Sequence, residues 1–369
     1  MNHRISLTIL ASLGFSALAS ADVTIGGTRS QGMGGAGLAL PFDIGNNYRM
    51  NPAFLAFGPK APTLQWPQFG FKLNGISFGD VSDVVGKLSN GGLDSDGVLT
   101  LARDYANSNK VVAVNTDFGV QFAGFAIGVR GELGINSRPN QQLQNWAAAG
   151  GDTSNVDLGS RLDAYGYGYQ QVDIGYGNTV KTKAGKLSIG FNAKRVKSYY
   201  AHKFADKDTI QNNDANGVQN GSGIAQDFAE SSSFGMDLGL IYRLPNADDV
   251  FFGAVIENLI EPGIVFPFEA PGGGSLIAAG GFDPYKRTIS AGFGMSKGKL
   301  MMAADFIDLG NSAGRQEVRY GAELALTRGF AVRAGYNSRT AFTYGLSIGG
   351  LNVQVGGQAP LTLASVIRF

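Results

Sequence analysis

Cysteine is absent from the 369-residue chain, and histidine and tryptophan occur only twice each. The first absence excludes disulfide staples, thiol catalysis and cysteine-rich zinc sites. The second leaves little for imidazole-based metal or acid–base chemistry. Charge is sparse and balanced: charged residues make up 16% of the chain, and the formal net charge is +1. The first 21 residues hold Arg4, one of the 30 bases, and none of the 29 acids, so the remaining 348 carry 29 of each. A neutral body has no global field to hold nucleic acid, and no nucleic-acid partner is expected. After Asp22 no stretch approaches the ~18 apolar residues of a transmembrane helix. Glycine, by contrast, is abundant at 55 residues, about twice its usual share. With 44% apolar residues, the chain is not composed like a disordered one.

Residues 1–4 are a short basic start, 5–19 are apolar, and Ala19-Ser20-Ala21 follows. This is the pattern of a secretory signal peptide. Residues 1–21 are therefore expected to be removed, with Asp22 opening an exported chain.

From about residue 61 the dominant period is two. Leu187, Ile189, Phe191 and Ala193 alternate with Ser188, Gly190, Asn192 and Lys194; Ile289, Ala291, Phe293 and Met295 alternate with Ser290, Gly292 and Gly294. The same holds for Phe234, Met236, Leu238 and Leu240, and for Phe342, Tyr344, Leu346 and Ile348. One face is large and apolar, the other small or polar. A soluble sandwich would bury the apolar face against a second sheet, whereas a membrane barrel turns it to lipid. Glycine on the polar face suits a crowded lumen, and segments of roughly ten residues match tilted membrane strands.

Fourteen strands are expected, near 61–77, 110–122, 124–135, 164–177, 186–200, 232–243, 250–259, 286–296, 299–308, 315–326, 329–338, 340–349, 350–357 and 360–369. The long connections, near 78–109, 136–163, 201–231 and 260–285, are the first, third, fifth and seventh. They all fall on one side, the extracellular one of an even-stranded barrel. Within 78–109, Val81, Val84, Val85 and Leu88 are spaced for a helical face, as are Val98, Leu101, Ala102 and Tyr105.

The ending, with Phe369 last and Ile367, Leu363 and Leu361 at alternate positions, resembles the assembly signal of bacterial outer-membrane barrels, although Ser365 departs from the pattern. That likeness implies recognition of Ile367 and Phe369 by the barrel-assembly machinery. Near the other end lie Gly32-Met33-Gly34-Gly35-Ala36-Gly37, then Asp43-Ile44-Gly45-Asn46-Asn47, then Asn51-Pro52-Ala53. This leader resembles that of the FadL-like outer-membrane superfamily, and the organisation of the body is most similar to the conjugal-transfer TraF-type branch, with Asn258-Leu259 as a recurrent pair. The resemblance implies a luminal plug formed by Gly32, Met33, Gly34, Gly35, Gly37, Asn51, Pro52 and Ala53. Independently, a segment threading a lumen needs the close approach that glycine permits, and Pro52 holds Asn51 extended. A flexible exposed leader is the alternative.

Three motifs mimic chemistry. Gly32-x-Gly34-x-x-Gly37 lacks the βαβ unit and later acid of a dinucleotide site. Gly294-Met295-Ser296-Lys297-Gly298 has no following helix and reads as a hairpin turn rather than a nucleophile elbow. The calcium-like run 212–217 lacks a bidentate Glu, because Gly223 stands there. His202 is placed in a long loop. Neither an enzyme nor a cofactor or metal is expected.

If the apolar faces meet lipid, then Arg130, Glu132, Asp173, Lys194, Asp237, Glu257, Asp305, Glu317, Arg319, Glu323 and Arg333 point inward, since charges at the bilayer midplane cost several kcal/mol. They either line a wet path or pair with one another and the leader. The expected organisation is a signal peptide at 1–21, a plug at 22–58 and an all-β transmembrane antiparallel barrel at 59–369, embedded in outer-membrane lipid of a Gram-negative-type envelope. Two functions fit: plug-gated passive transport of a small hydrophobic molecule, or a non-transporting barrel that binds an envelope protein in a conjugation or secretion apparatus.

Overall fold

The computed structural model describes residues 28–41, 46–74, 110–152, 156, 158–212, 219–220, 229–245, 247–264, 285–314, 316–327, 329–339, 341–349, 351–356 and 361–368. The expected signal peptide at 1–21, the stretches of 78–109 with helical spacing, the run 213–218 and Phe369 lie outside them.

Fourteen strands form the wall: β1 (Thr63–Asn74), β2 (Lys110–Phe122), β3 (Phe125–Pro139), β4 (Leu162–Thr182), β5 (Gly185–Ala205), β6 (Ala229–Leu244), β7 (Ala247–Ile260), β8 (Thr288–Lys297), β9 (Leu300–Ile307), β10 (Glu317–Thr327), β11 (Phe330–Asn337), β12 (Ala341–Ile348), β13 (Leu351–Gly356) and β14 (Leu361–Arg368). Each pairs antiparallel with its sequence neighbours, and β1 pairs with β14, with Leu64 opposite Ile367. The sheet is closed, so no edge is left to aggregate. Every expected strand is present.

Burial is inverted relative to a soluble protein. Phe191, Phe234, Phe293 and Phe342 are exposed, whereas Ser188, Asn192, Asp237 and Asp305 are buried. Alternation on each strand assigns the two faces. Tight turns join the strands at one end; Ala123 and Gly124 between β2 and β3 both have positive φ, 45° and 88°, as a two-residue hairpin turn requires. The 294–298 motif is such a turn, between β8 and β9.

Two irregularities have local causes. Neither Trp66 nor Pro67 on β1 has a register partner on β2 or β14, because Pro67 has no N–H to give the ladder. On β7, Asn258 sits at φ 52° in a register shift against β6, donating its backbone N–H to Asp237 Oδ1 at 2.8 Å.

Strand length departs from expectation. Strands β4 and β5 have 21 residues each, β6 has 16 and β3 has 15, well beyond the roughly ten a tilted span needs. The excess projects at the long-loop end and is tied down there. Helices α2 (Gln141–Ala148) and α3 (Lys207–Gln211) cover it, and Leu143, Trp146, Val156, Ala205 and Ile210 form a separate small core. Two residues, Gln219–Asn220, pair with the end of β5. His202 consequently lies on β5, not in a loop, and contacts Asp163 on β4 at 2.8 Å.

Candidate functional site: the lumen and the segment within it

Residues 28–41 and 46–57 occupy the space enclosed by the sheet. The first begins with a short helix, α1 (Thr28–Gln31), and the second contains 3-10 turns at Asn46–Arg49 and Pro52–Phe57. Inner-face glycines give them room. A Cβ on Gly177 (β4) would lie 2.8 Å from Ala56 N, one on Gly253 (β7) 2.8 Å from Ala39 Cα, and one on Gly345 (β12) 3.1 Å from Gly32 Cα. Met33 presses on Gly321 and Gly335, Pro52 on Gly190, and Leu40 on Gly294. The glycines that alternate with large apolar residues are thus notches for a second backbone. Every strand from β2 to β12 touches the segment through a notch or a polar group.

The glycine-rich motif is read by side chains of the wall. Gly34 donates its N–H to Thr343 Oγ1 at 2.8 Å, and its carbonyl accepts from Asn337 Nδ2 at 3.4 Å. Arg319 Nη1 donates to Gly35 O at 3.2 Å. Asp305 Oδ2 accepts from the N–H groups of Gly37 and Leu38, at 2.8 and 3.0 Å. Gly34 has φ 74°, and a Cβ there would lie 2.7 Å from Tyr336 N and O.

Asn51 ties the two segments together. Its Nδ2 donates to Leu38 O at 2.8 Å and to Leu240 O of the wall at 3.2 Å, while its Oδ1 caps the following turn by accepting from Ala53 N at 3.0 Å. Pro52 fills the first position of that turn, where a missing N–H is harmless. Pro52 and Ala53 are buried.

Two arginines join the segment to opposite parts of the wall. Arg29 Nε donates to Glu323 Oε2 at 2.7 Å, and Arg333 pairs with the same carboxylate. Arg49 Nε donates to Asp173 Oδ1 at 2.7 Å; its guanidinium also meets Asp117, and Tyr48 Oη donates to Asp173. Arg49, Asp173, Glu323 and Arg333 are buried and Arg29 and Asp117 half-buried; at the buried ends, loss of one partner strands the other.

Of the eleven charges expected to point inward, nine are buried and Arg130 and Glu257 are half-buried. Glu323, Arg319, Arg333, Asp305 and Asp173 contact or flank the segment. Glu317 pairs with Arg319. Lys194 and Asp237 pair at 2.6 Å, Arg130 Nη2 donates to Gln171 Oε1 at 2.8 Å, Glu257 accepts from Thr288 Oγ1 at 3.0 Å, and Glu132 is buried. Sequence reasoning missed Asp117, Arg29, Tyr48, Arg49, Asn337 and Thr343. For Asp117 the signal was present, because it shares an alternation class with Gly119. At the long-loop end, the Thr209 N–H holds the Asp206 carboxyl below the usual carboxylate range. Among the described residues, no group of three or more His, Cys, Asp or Glu side chains is placed to hold a metal.

A family model described as "F plasmid transfer operon, TraF, protein" matches residues 100–349. The chain belongs to the TraF family. No curated protein matches it. Among solved structures, it is similar to a deletion mutant of the TodX monoaromatic hydrocarbon channel, at 13% identity and TM-score 0.54 over 92% of this chain and 96% of that one. It is also similar to the toluene transporter TbuX of Ralstonia pickettii, at 15% identity and TM-score 0.50 over 94% and 99%. At such identities the likeness establishes the fold, that of FadL-like outer-membrane barrels. This TraF-family chain is therefore an outer-membrane β-barrel with a polar inner wall and an apolar belt.

Proposed function

We propose that the barrel passes a small hydrophobic molecule passively across the outer membrane, and that residues 22–58 form the plug that gates it. One observation carries this reading. Met33, Leu38, Leu40, Met50 and Phe54 of the inner segment bury an apolar stripe of the wall made by Ile241, Phe251, Val255, Ala303 and Ile307. Displacing the segment uncovers that stripe inside an otherwise polar lumen, a surface on which an apolar solute gains about 25 cal/mol per Å² buried. The hydrocarbon and toluene channels of the same fold support the choice of cargo. Export by cleavage after Ala21 and insertion by the barrel-assembly machinery complete the reading.

The test compares the intact protein with one lacking 22–58, by conductance in planar bilayers and by toluene uptake into whole cells that carry either form. The truncated barrel should conduct and take up toluene faster, with the intact one nearly closed. Equal, low values for both refute plug gating. The family's description as a transfer-operon protein favours a second reading, a scaffold that binds an envelope protein without flux. In that case both forms stay closed and the intact barrel co-purifies with its partner.

A further inference from the structure

The short-turn end of the barrel is basic. Three of its turns, spanning 181–186, 243–249 and 297–299, carry six bases against two acids. In the sheet register Lys181 lies opposite Lys186, and Lys186 opposite Arg243, which puts three cations side by side on β4, β5 and β6. Like charges in such positions destabilise a sheet. The patch is nevertheless held on ordered backbone. Tyr242 Oη donates to Ala184 O, bracing the β4–β5 turn against β6, and the Arg243 guanidinium lies over the Phe251 ring at 5.5 Å.

We infer that this row is a docking site for an acidic peptide segment of a partner on the periplasmic side. The orientation rests on short turns facing the periplasm, not on whether the lumen conducts. Direction and size select the occupant. Lys181, Lys186 and Arg243 share the inner-face alternation of Gly177, Ser188 and Asp237, so they line the mouth of the lumen rather than facing lipid. Three adjacent strands span about 10 Å, which suits an extended chain of carboxylates better than one phosphate group. Lys181, Lys183 and Lys186 are exposed and accessible to it.

The test uses the full-length barrel in nanodiscs and a fluorescent ten-residue oligoglutamate, followed by anisotropy. Binding should be readily measured at 50 mM salt and fall severalfold by 200 mM, as screening shortens the field. K181Q/K183Q/K186Q should weaken it at least tenfold, whereas K207Q/K286Q/R287Q at the other end, with the same change in net charge, should not. Equal weakening by both sets would reduce the effect to net charge and overturn the inference. So would wild-type affinity in the first set, competition by inorganic phosphate at equal concentration, or binding that appears only with anionic lipid in the nanodisc.

Discussion

Gly34→Leu is the sharpest perturbation of the inner segment, and its cost follows from three local features. A side chain at φ 74° costs about 1–2 kcal/mol for the left-handed backbone. Its Cβ would meet Tyr336 N and O at 2.7 Å, and these are backbone atoms of a strand paired on both sides. Overpacking of this kind costs about 1–3 kcal/mol. Moving the segment away also gives up the hydrogen bonds to Thr343 and Asn337, each worth about 0.5–1.5 kcal/mol net. Together these make roughly 3–8 kcal/mol against seating residues 28–41, a population shift of at least about a hundredfold. Strand pairing is untouched, so the variant should insert normally and keep the heat-dependent gel mobility of a closed barrel. Limited proteolysis near Arg29 should become fast, and toluene uptake should rise if the lumen is a gated path. Gly35→Ala is the internal control: its Cβ meets the movable Arg319 side chain at 3.2 Å rather than backbone, so its effect should be smaller. Protection of Arg29 in Gly34→Leu equal to that in the wild type would refute the placement of this segment.

Glu323→Gln leaves Arg29 and Arg333 without their shared carboxylate, a loss of about 3–5 kcal/mol for a buried pair; the segment should become protease-sensitive, and unchanged protection would count against the pairing. Phe369→Asp should reduce the amount of barrel inserted, measured as the heat-modifiable fraction in outer membranes, and equal insertion would show the ending to be incidental. The Asp206 cap stabilises α3 by about 1 kcal/mol. Because its native carboxyl titrates below the unfolded value, near 3.9, that contribution is present above pH 4 and lost as pH falls through the depressed native value. The protection factors at Thr209 and Ile210, taken after dividing out the intrinsic pH dependence of amide exchange, should therefore fall on acidification in the wild type but not in Asp206→Asn, and identical pH profiles of protection would refute the cap.

Strand number, connectivity and the sense of each face were legible in the sequence because a barrel wall is a local object. The period of two in 186–200 or 286–296 needs no distant partner to be seen, and lipid on one side makes the alternation clean. The expectation that eleven charges point inward rests on the same rule. The lengths of β4 and β5 were not legible. Their outer halves are held by α2, α3 and the small core around Trp146, packing that no period announces, which is also why His202 looked like a loop residue. Nor could the partners of the charges be read. Whether Glu323 would take Arg319 or Arg29 depends on where residues 28–41 lie against β10 and β11, a matter of tertiary distance across nearly three hundred positions. Alternation alone shows glycine recurring on one face of the wall. Only the closed sheet, by bringing residues 28–57 against those glycines, decided what they make room for, because a notch has meaning only once the backbone that fills it is in place.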